Sequence, residues 1–178
     1  MAQLRIIILL GTGRVGRQSE QVAKFVLAEA RSFGFDAEIY DVRDYGSAVT
    51  IPPGAENKAA EKWKNIVEKT QGIIIVMPEY NHSYPGELKI LLDPLKEEYI
   101  GKPVALCPVS AGNFGGARAA EHILPVLNYL QLRVVPGTVY FSSVAVIFNE
   151  AGKTETEKYK DKLKILFMNL KTSISVKN

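Results

Sequence analysis

The run Gly72-Ile73-Ile74-Ile75-Val76-Met77 carries no polar side chain. A strand with one wet face alternates apolar and polar residues, so a strand of this kind has to be covered on both faces. Two more runs have nearly the same character, Leu4 to Leu10 (interrupted only by Arg5) and Val104 to Val109. Each ends in a polar or glycine-rich loop, and each loop leads into a segment with helical spacing. Strands of this type belong in a parallel sheet with helices on both sides.

Taken in order, the first run meets Gly11-Thr12-Gly13-Arg14-Val15-Gly16-Arg17-Gln18-Ser19. A helix is expected from Glu20 to Phe33, with Val22, Phe25, Val26 and Ala30 on one side and Gly34 as its stop. Ala37 to Asp41 reads as a short second strand. Val42 to Gly54, with Tyr45, Gly46, Pro52 and Pro53, reads as irregular. Ala55 to Thr70 is expected to be helical, with Ala59, Trp63, Ile66 and Val67 on one side. After the Gly72 strand comes Pro78-Glu79-Tyr80-Asn81-His82-Ser83-Tyr84-Pro85-Gly86, then a helix with Pro85 and Glu87 in its first turn. Gly101-Lys102-Pro103 turns into the Val104 strand, and Ser110-Ala111-Gly112-Asn113-Phe114-Gly115-Gly116 leads into a helix from Ala117 to Leu130. Val134-Val135 and Val139 to Phe141 give a last strand region, followed by an amphipathic helix from Thr154 to about Ser173.

Five strands alternating with helices predict a doubly wound α/β fold with a five-stranded parallel sheet, in one domain over residues 1–178. The flavodoxin-like order 2-1-3-4-5 is the common solution for this element count, with a switch point between strands 1 and 3. In that order the loops after strands 1, 3 and 4 meet at one sheet edge.

The first loop reads as an anion cradle. A helix N-terminus exposes unpaired N–H groups and partial positive charge. Thr12 and Ser19 add hydroxyls, Gln18 an amide, and Arg14 and Arg17 guanidinium groups suited to phosphate. Gly11-x-Gly13-x-x-Gly16 also matches the bare dinucleotide spacing, with Asp36 or Asp41 as the acidic partner. Two arginines and two hydroxyls within the loop suit a terminal phosphomonoester better. The Walker pattern is absent. In the second loop, Tyr80 and Asn81 beside backbone N–H groups suit a planar heteroaromatic ring. His82 reads either as a surface histidine or as a substrate-facing group. The third loop offers close backbone approach through its three glycines.

Composition narrows the function. A net charge of +3 with no dense basic block argues against nucleic acid. With only two histidines and no zinc spacing, a metal site built from several histidines is excluded. No Gly-x-Ser-x-Gly elbow is present. The single cysteine, Cys107, lies in an apolar run and is expected buried and free, which fits a reducing compartment. No signal peptide is recognisable, and no stretch nears the roughly 20 apolar residues needed to cross a bilayer. A cytoplasmic location is expected. Few acid/base candidates suit an enzyme whose cofactor does the chemistry.

The three loops together are specific. Gly11-Thr12-Gly13-Arg14-x-Gly16-Arg17, Pro78-Glu79-Tyr80-Asn81-His82-Ser83-x-Pro85-Gly86-x-Leu88-Lys89 and Ser110-x-Gly112-x-x-Gly115-Gly116 resemble the NADPH-dependent FMN reductase family, which includes azoreductases, quinone reductases and chromate reductases. The resemblance covers nearly the whole chain. It implies non-covalent FMN, with the phosphate held by Thr12, Arg14, Gln18 and Ser19, and Arg17 beside them. Pro78, Glu79, Tyr80 and Asn81 would line the isoalloxazine, and Ser110 and Gly112 would close the site. His82 and Tyr84 would face the substrate. No catalytic side chain is expected, because the resemblance implies ping-pong hydride transfer from NADPH or NADH to the flavin N5 and on to a quinone, azo compound, free flavin or metal oxyanion. The competing expectation is a flavodoxin-like electron carrier without NAD(P)H turnover. A homodimer or homotetramer is implied, with the helices after Pro85 and from Ala117 as interfaces. Two positions depart from the family pattern: Thr12 replaces the commoner Ser, and Ile90 replaces the usual Asn.

Overall fold

The computed structural model describes residues 3–45, 50–51, 56–148 and 153–176. Five parallel strands form its sheet: β1 Arg5–Leu10, β2 Asp36–Asp41, β3 Gly72–Pro78, β4 Pro103–Val109 and β5 Arg133–Val134. Their spatial order is β2-β1-β3-β4-β5, as expected. The helices are α1 Ser19–Ser32, α2 Val42–Tyr45, α3 Lys58–Glu68, α4 Gly86–Leu92, α5 Ala117–Tyr129, α6 Val144–Ile147 and α7 Lys153–Ser175. A 3-10 turn covers Glu97–Tyr99.

Side chains that alternate along each central strand go to opposite faces of the sheet. Ile6, Ile8, Leu10, Ile74, Val76, Ala105, Cys107 and Val109 pack with Val22 and Val26 of α1 and Leu163, Leu166 and Leu170 of α7. Ile7, Leu9, Ile73, Ile75, Met77, Val104 and Leu106 pack with Trp63, Leu88, Leu91 and Ile123 of α3, α4 and α5. Every residue of β3 and β4 is buried, which accounts for their unbroken apolar composition. At about 1.5–3 kcal/mol for each large aliphatic side chain, these two layers are the main term holding the sheet in place. Trp63 is fully buried, and its indole N–H donates to the Tyr99 hydroxyl at 2.6 Å. Cys107 is a buried free thiol, and burial pushes its pKa well above the ordinary value.

Two local expectations need correction. Val42–Tyr45, expected irregular, is the single turn α2. The Asp41 carboxylate caps it by accepting the Arg43 backbone N–H at 3.0 Å. Gly46, Pro52 and Pro53 of the same stretch lie outside the described residues. The last strand region is much shorter than expected. β5 has two residues, and of Val139 to Phe141 only Phe141 pairs, through an isolated bridge to Val109. The chain there follows the sheet edge by single hydrogen bonds, Val139 N–H to Leu106 and Phe141 N–H to Pro108, and then turns into α6.

Candidate active site at the sheet switch point

β1 and β3 are hydrogen-bonded neighbours, yet their following helices go to opposite faces of the sheet. Their loops therefore diverge and leave a crevice at the carboxyl ends of the strands. A cleft of about 340 Å³ opens there, walled by Arg14 to Ser19, by Pro78, Glu79 and Tyr80, and by Val109, Ser110, Ala111 and Val144.

The first loop leaves β1 at Gly11, whose N–H donates to the Val76 carbonyl at 2.9 Å. Helix α1 starts at Ser19 with no side chain capping its first-turn N–H groups. The Ser19 hydroxyl is buried with no hydrogen-bond partner, although it stands in the cleft wall. Leaving a buried hydroxyl unpaired costs about 1–3 kcal/mol. An acceptor entering the cleft would recover that cost. Arg14 extends over the Tyr80 ring, its guanidinium carbon 5.1 Å from the centroid, and so links the first loop to the second.

Arg17 is placed differently from the sequence expectation. Its side chain is 4% exposed and forms a two-pronged pair with the Asp41 carboxylate. One of its nitrogens also donates to the Thr12 carbonyl. Both terminal nitrogens are committed to the protein, while Nε, 3.5 Å from the Glu20 carboxylate, is buried without a hydrogen bond, so Arg17 belongs to the frame of the loop more than to the ligand face. The hydrogen bond to Asp41 raises the Arg17 pKa against the opposing effect of burial. Burial alone would raise the Asp41 carboxyl, but hydrogen bonds from Arg17 and the Arg43 N–H outweigh it and hold the carboxyl below its ordinary value. Asp41 is thus the partner of an arginine.

Thr12 is fully buried behind the cleft. Its hydroxyl oxygen accepts the Arg14 N–H at 3.2 Å and lies 3.5 Å from the Tyr80 hydroxyl. In the second loop, Tyr80 and Ser83 exchange backbone hydrogen bonds at 2.9 and 3.0 Å around Asn81 and His82, whose φ values are +48° and +66°. Two consecutive positive φ values make a hairpin turn whose backbone strain has to be held by its surroundings. The turn leaves Asn81 and His82 exposed and outside the cleft wall. Tyr84 packs instead against the apolar layer around α3 and α4.

Glu79 was expected against the ligand ring. Its carboxylate accepts from Arg118 twice, from the backbone N–H at 3.1 Å and from the guanidinium at 3.0 Å. This places negative charge at the N-terminus of α5, where the helix dipole favours it. The third loop carries Ser110, whose hydroxyl donates to the Gly112 carbonyl at 2.8 Å. Gly112 lies outside the wall, and Ala111 takes its place there.

Of the sequence-expected residues, the fold gathers Arg14, Arg17, Gln18, Ser19, Pro78, Glu79, Tyr80 and Ser110 in one cleft, with Thr12 directly behind it. It leaves Asn81, Gly112, His82 and Tyr84 off the wall. Sequence reasoning missed Val144, which lies between the last expected strand region and the final helix, in a stretch given no element. It also missed Arg43 and Glu87, which hold the first loop from outside: the Arg43 guanidinium donates to the Gly13 and Arg14 carbonyls, and Glu87 accepts the Gly13 N–H. Arg43 lay in the stretch read as irregular, and Glu87 was read only as a helix-start signal.

The sequence model of the NADPH-dependent FMN reductases matches residues 4–146, which span all three loops. The chain belongs to this family. It is similar to a quinone reductase of Escherichia coli K12, 33% identical over 141 residues that cover 75% of this chain and 74% of the relative. It is 28% identical to an NADPH azoreductase of a Bacillus species over 155 residues, covering 84% and 83%. Among solved structures, the flavoenzyme NAD(P)H:acceptor oxidoreductase FerB of Paracoccus denitrificans superposes with a TM-score of 0.77 at 18% identity, covering 96% of this chain and 98% of that one. The protein is accordingly an FMN-dependent oxidoreductase using NAD(P)H.

Among the described residues no helix is long and apolar enough to cross a membrane. No cluster of three or more His, Cys, Asp or Glu side chains forms a metal site among them.

Proposed function

We propose that this reductase seats the FMN phosphate against the Arg14–Ser19 segment and the N-terminus of α1, with the flavin ring toward Pro78, Glu79, Tyr80 and Asn81. Ser110 and the Gly112 loop border the other side. The observation that carries this reading is the Ser19 hydroxyl, buried in the cleft wall without a partner beside uncapped helix N–H groups. A phosphate oxygen satisfies both, and Arg14 adds the balancing charge. Thr12 contributes from behind by fixing the Arg14 N–H.

The chemistry supplied when FMN is bound is acceptance of a hydride from NAD(P)H and delivery of electrons to a small acceptor, in alternation. The chain positions and excludes. Tyr80 and Arg14 form one rim of the cleft, and the Glu79–Arg118 pair ties the second loop to α5. No general acid or base from the chain is required in this reading. The similarity to a quinone reductase and an azoreductase supports an acceptor of quinone or azo type. We further propose a single-domain homodimer or homotetramer contacting through α4 and α5. The free buried thiol of Cys107 supports a reducing, cytoplasmic setting.

The test is an absorption spectrum after loading with FMN and desalting, then anaerobic addition of NADPH. Retained flavin colour that bleaches on NADPH and returns with a quinone is expected. Colour that survives NADPH would mark an electron carrier, and absence of retained flavin would overturn the site.

A further inference from the structure

Three successive peptide carbonyls in the first loop are held by guanidinium groups. The Thr12 carbonyl accepts from Arg17, the Gly13 carbonyl from Arg43 Nε at 2.9 Å, and the Arg14 carbonyl from Arg43 Nη2 at 2.7 Å. Arg43 is not in the cleft wall. It sits on α2, where the Asp41 carboxylate holds its backbone N–H, and Asp41 also clamps Arg17. From the other side Glu87 of α4 accepts the Gly13 N–H at 3.2 Å. Gly13 is enclosed between these two side chains: a Cβ there would lie 3.5 Å from the Glu87 carboxylate and 3.6 Å from the Arg43 stem.

A trans peptide points its N–H opposite to its C=O. Fixing three carbonyls in sequence therefore fixes the direction of the next three N–H groups: that of Gly13 goes to Glu87, that of Arg14 to the Thr12 hydroxyl, and that of Val15, a residue of the cleft wall, is left for a ligand. It also prevents any of the three carbonyl dipoles from turning toward an anion in the cleft, where it would repel it. We propose that Arg43 is a positioning residue for phosphate recognition. It touches no ligand itself; it turns the Gly13 and Arg14 carbonyls away from the cleft and so holds the Val15 N–H in the orientation that accepts an anion. This rests on the assignment of the Arg14–Ser19 segment as the phosphate site.

Preorganised donors bind an anion more tightly because the ordering is already complete before binding. Loss of two charge-assisted hydrogen bonds to the loop should relax that order, with an effect confined to the phosphate end of the ligand. Riboflavin presents the same ring without the phosphate and so reports the rest of the site.

The experiment measures dissociation constants of FMN and riboflavin by fluorescence titration for the full chain and for Ser19→Ala, Arg43→Met and Arg43→Lys, with a thermal unfolding midpoint for each. Arg43→Met is expected to weaken FMN by about 10- to 100-fold and riboflavin by less than about twofold. Arg43→Lys, which keeps the charge but loses the fork, should recover part of the difference. Equal loss for both ligands, or no loss in either arginine variant, with Ser19→Ala still selective for FMN, overturns the role of Arg43 and leaves the phosphate site standing. If neither Ser19→Ala nor the arginine variants distinguish FMN from riboflavin, the phosphate site itself is wrong and the inference falls with it. Selectivity in Arg43→Met alone supports Arg43 and removes Ser19 as a contact. Should Arg43→Met not fold, Arg43→Lys decides by whether its FMN-to-riboflavin ratio departs from that of the unmodified protein.

Discussion

The first and third loops both pass from a buried strand to a helix at the same sheet edge, yet they are held in different ways. The first is held by charged side chains: its own Arg17 on Asp41 of β2, Arg43 of α2 on two carbonyls and Glu87 of α4 on one N–H. The third is held by close packing of backbone on backbone. Ser110 N–H donates to the Phe141 carbonyl, Val144 N–H to the Ser110 carbonyl and Ser143 N–H to the Gly112 carbonyl. Gly115 and Gly116 have φ values of +61° and +83°, and a Cβ on Gly116 would lie 2.7 Å from the Val109 nitrogen. Side-chain bracing can be tuned by charge and pH, whereas backbone packing tolerates almost no added atom. The anion-facing loop is the one braced by charge.

Adding one carbon to the third loop is the strongest test of this contrast. Gly116→Ala introduces both a strained positive φ and a contact with β4, and should cost about 3 kcal/mol or more. For a chain of this size that lowers the melting temperature by roughly 6–12 °C, measured by calorimetry. A melting temperature within a degree of the parent would show that the third loop has slack and would remove the distinction.

A smaller effect is expected from Asp41→Asn, which leaves Arg17 with a weaker partner in a largely buried place, at about 2 kcal/mol near neutral pH. The sign with pH follows from the lowered carboxyl. A carboxyl held below its unfolded value stabilises fully above that value, near 3.9, and the contribution disappears as pH falls through the lower folded value. The stability difference between the parent and Asp41→Asn should therefore shrink as pH drops below about 4. A difference independent of pH across that range would mean that the charge of Asp41 is not what braces the loop.

The smallest effect is also the most discriminating, because it has the opposite sign. Ser19→Ala removes a buried hydroxyl that has no partner. The ligand-free protein should be unchanged or up to about 1 kcal/mol more stable, while FMN affinity falls several-fold. Thermal shifts with and without FMN separate the two. Clear destabilisation of the free protein would show that the hydroxyl already has a protein or water partner.

Much of the architecture was legible in the sequence because it follows from local rules. An unbroken apolar strand has to be covered on both faces, and three such strands with intervening helical periods leave few topologies open. The gathering of Arg14, Ser19, Tyr80 and Ser110 at one edge followed from that topology and from where each loop begins. What the sequence left open has one cause. Arg17, Asp41 and Glu79 are the residue types that bind ligands, and they are equally the types that bind each other. Only the arrangement in space decides which of these occurs.

The sequence alone determined the parallel sheet, its buried strands, the three loops that leave them and the family, since each depends on periodicity or on residues contiguous in the chain. The tertiary structure alone decided that Arg17 turns to Asp41, that Arg43 reaches back 30 residues to hold Gly13, and that Val144 closes a wall begun at Arg14. These are pairings between distant segments whose free energy depends on distance and burial, quantities that exist only once the chain has folded.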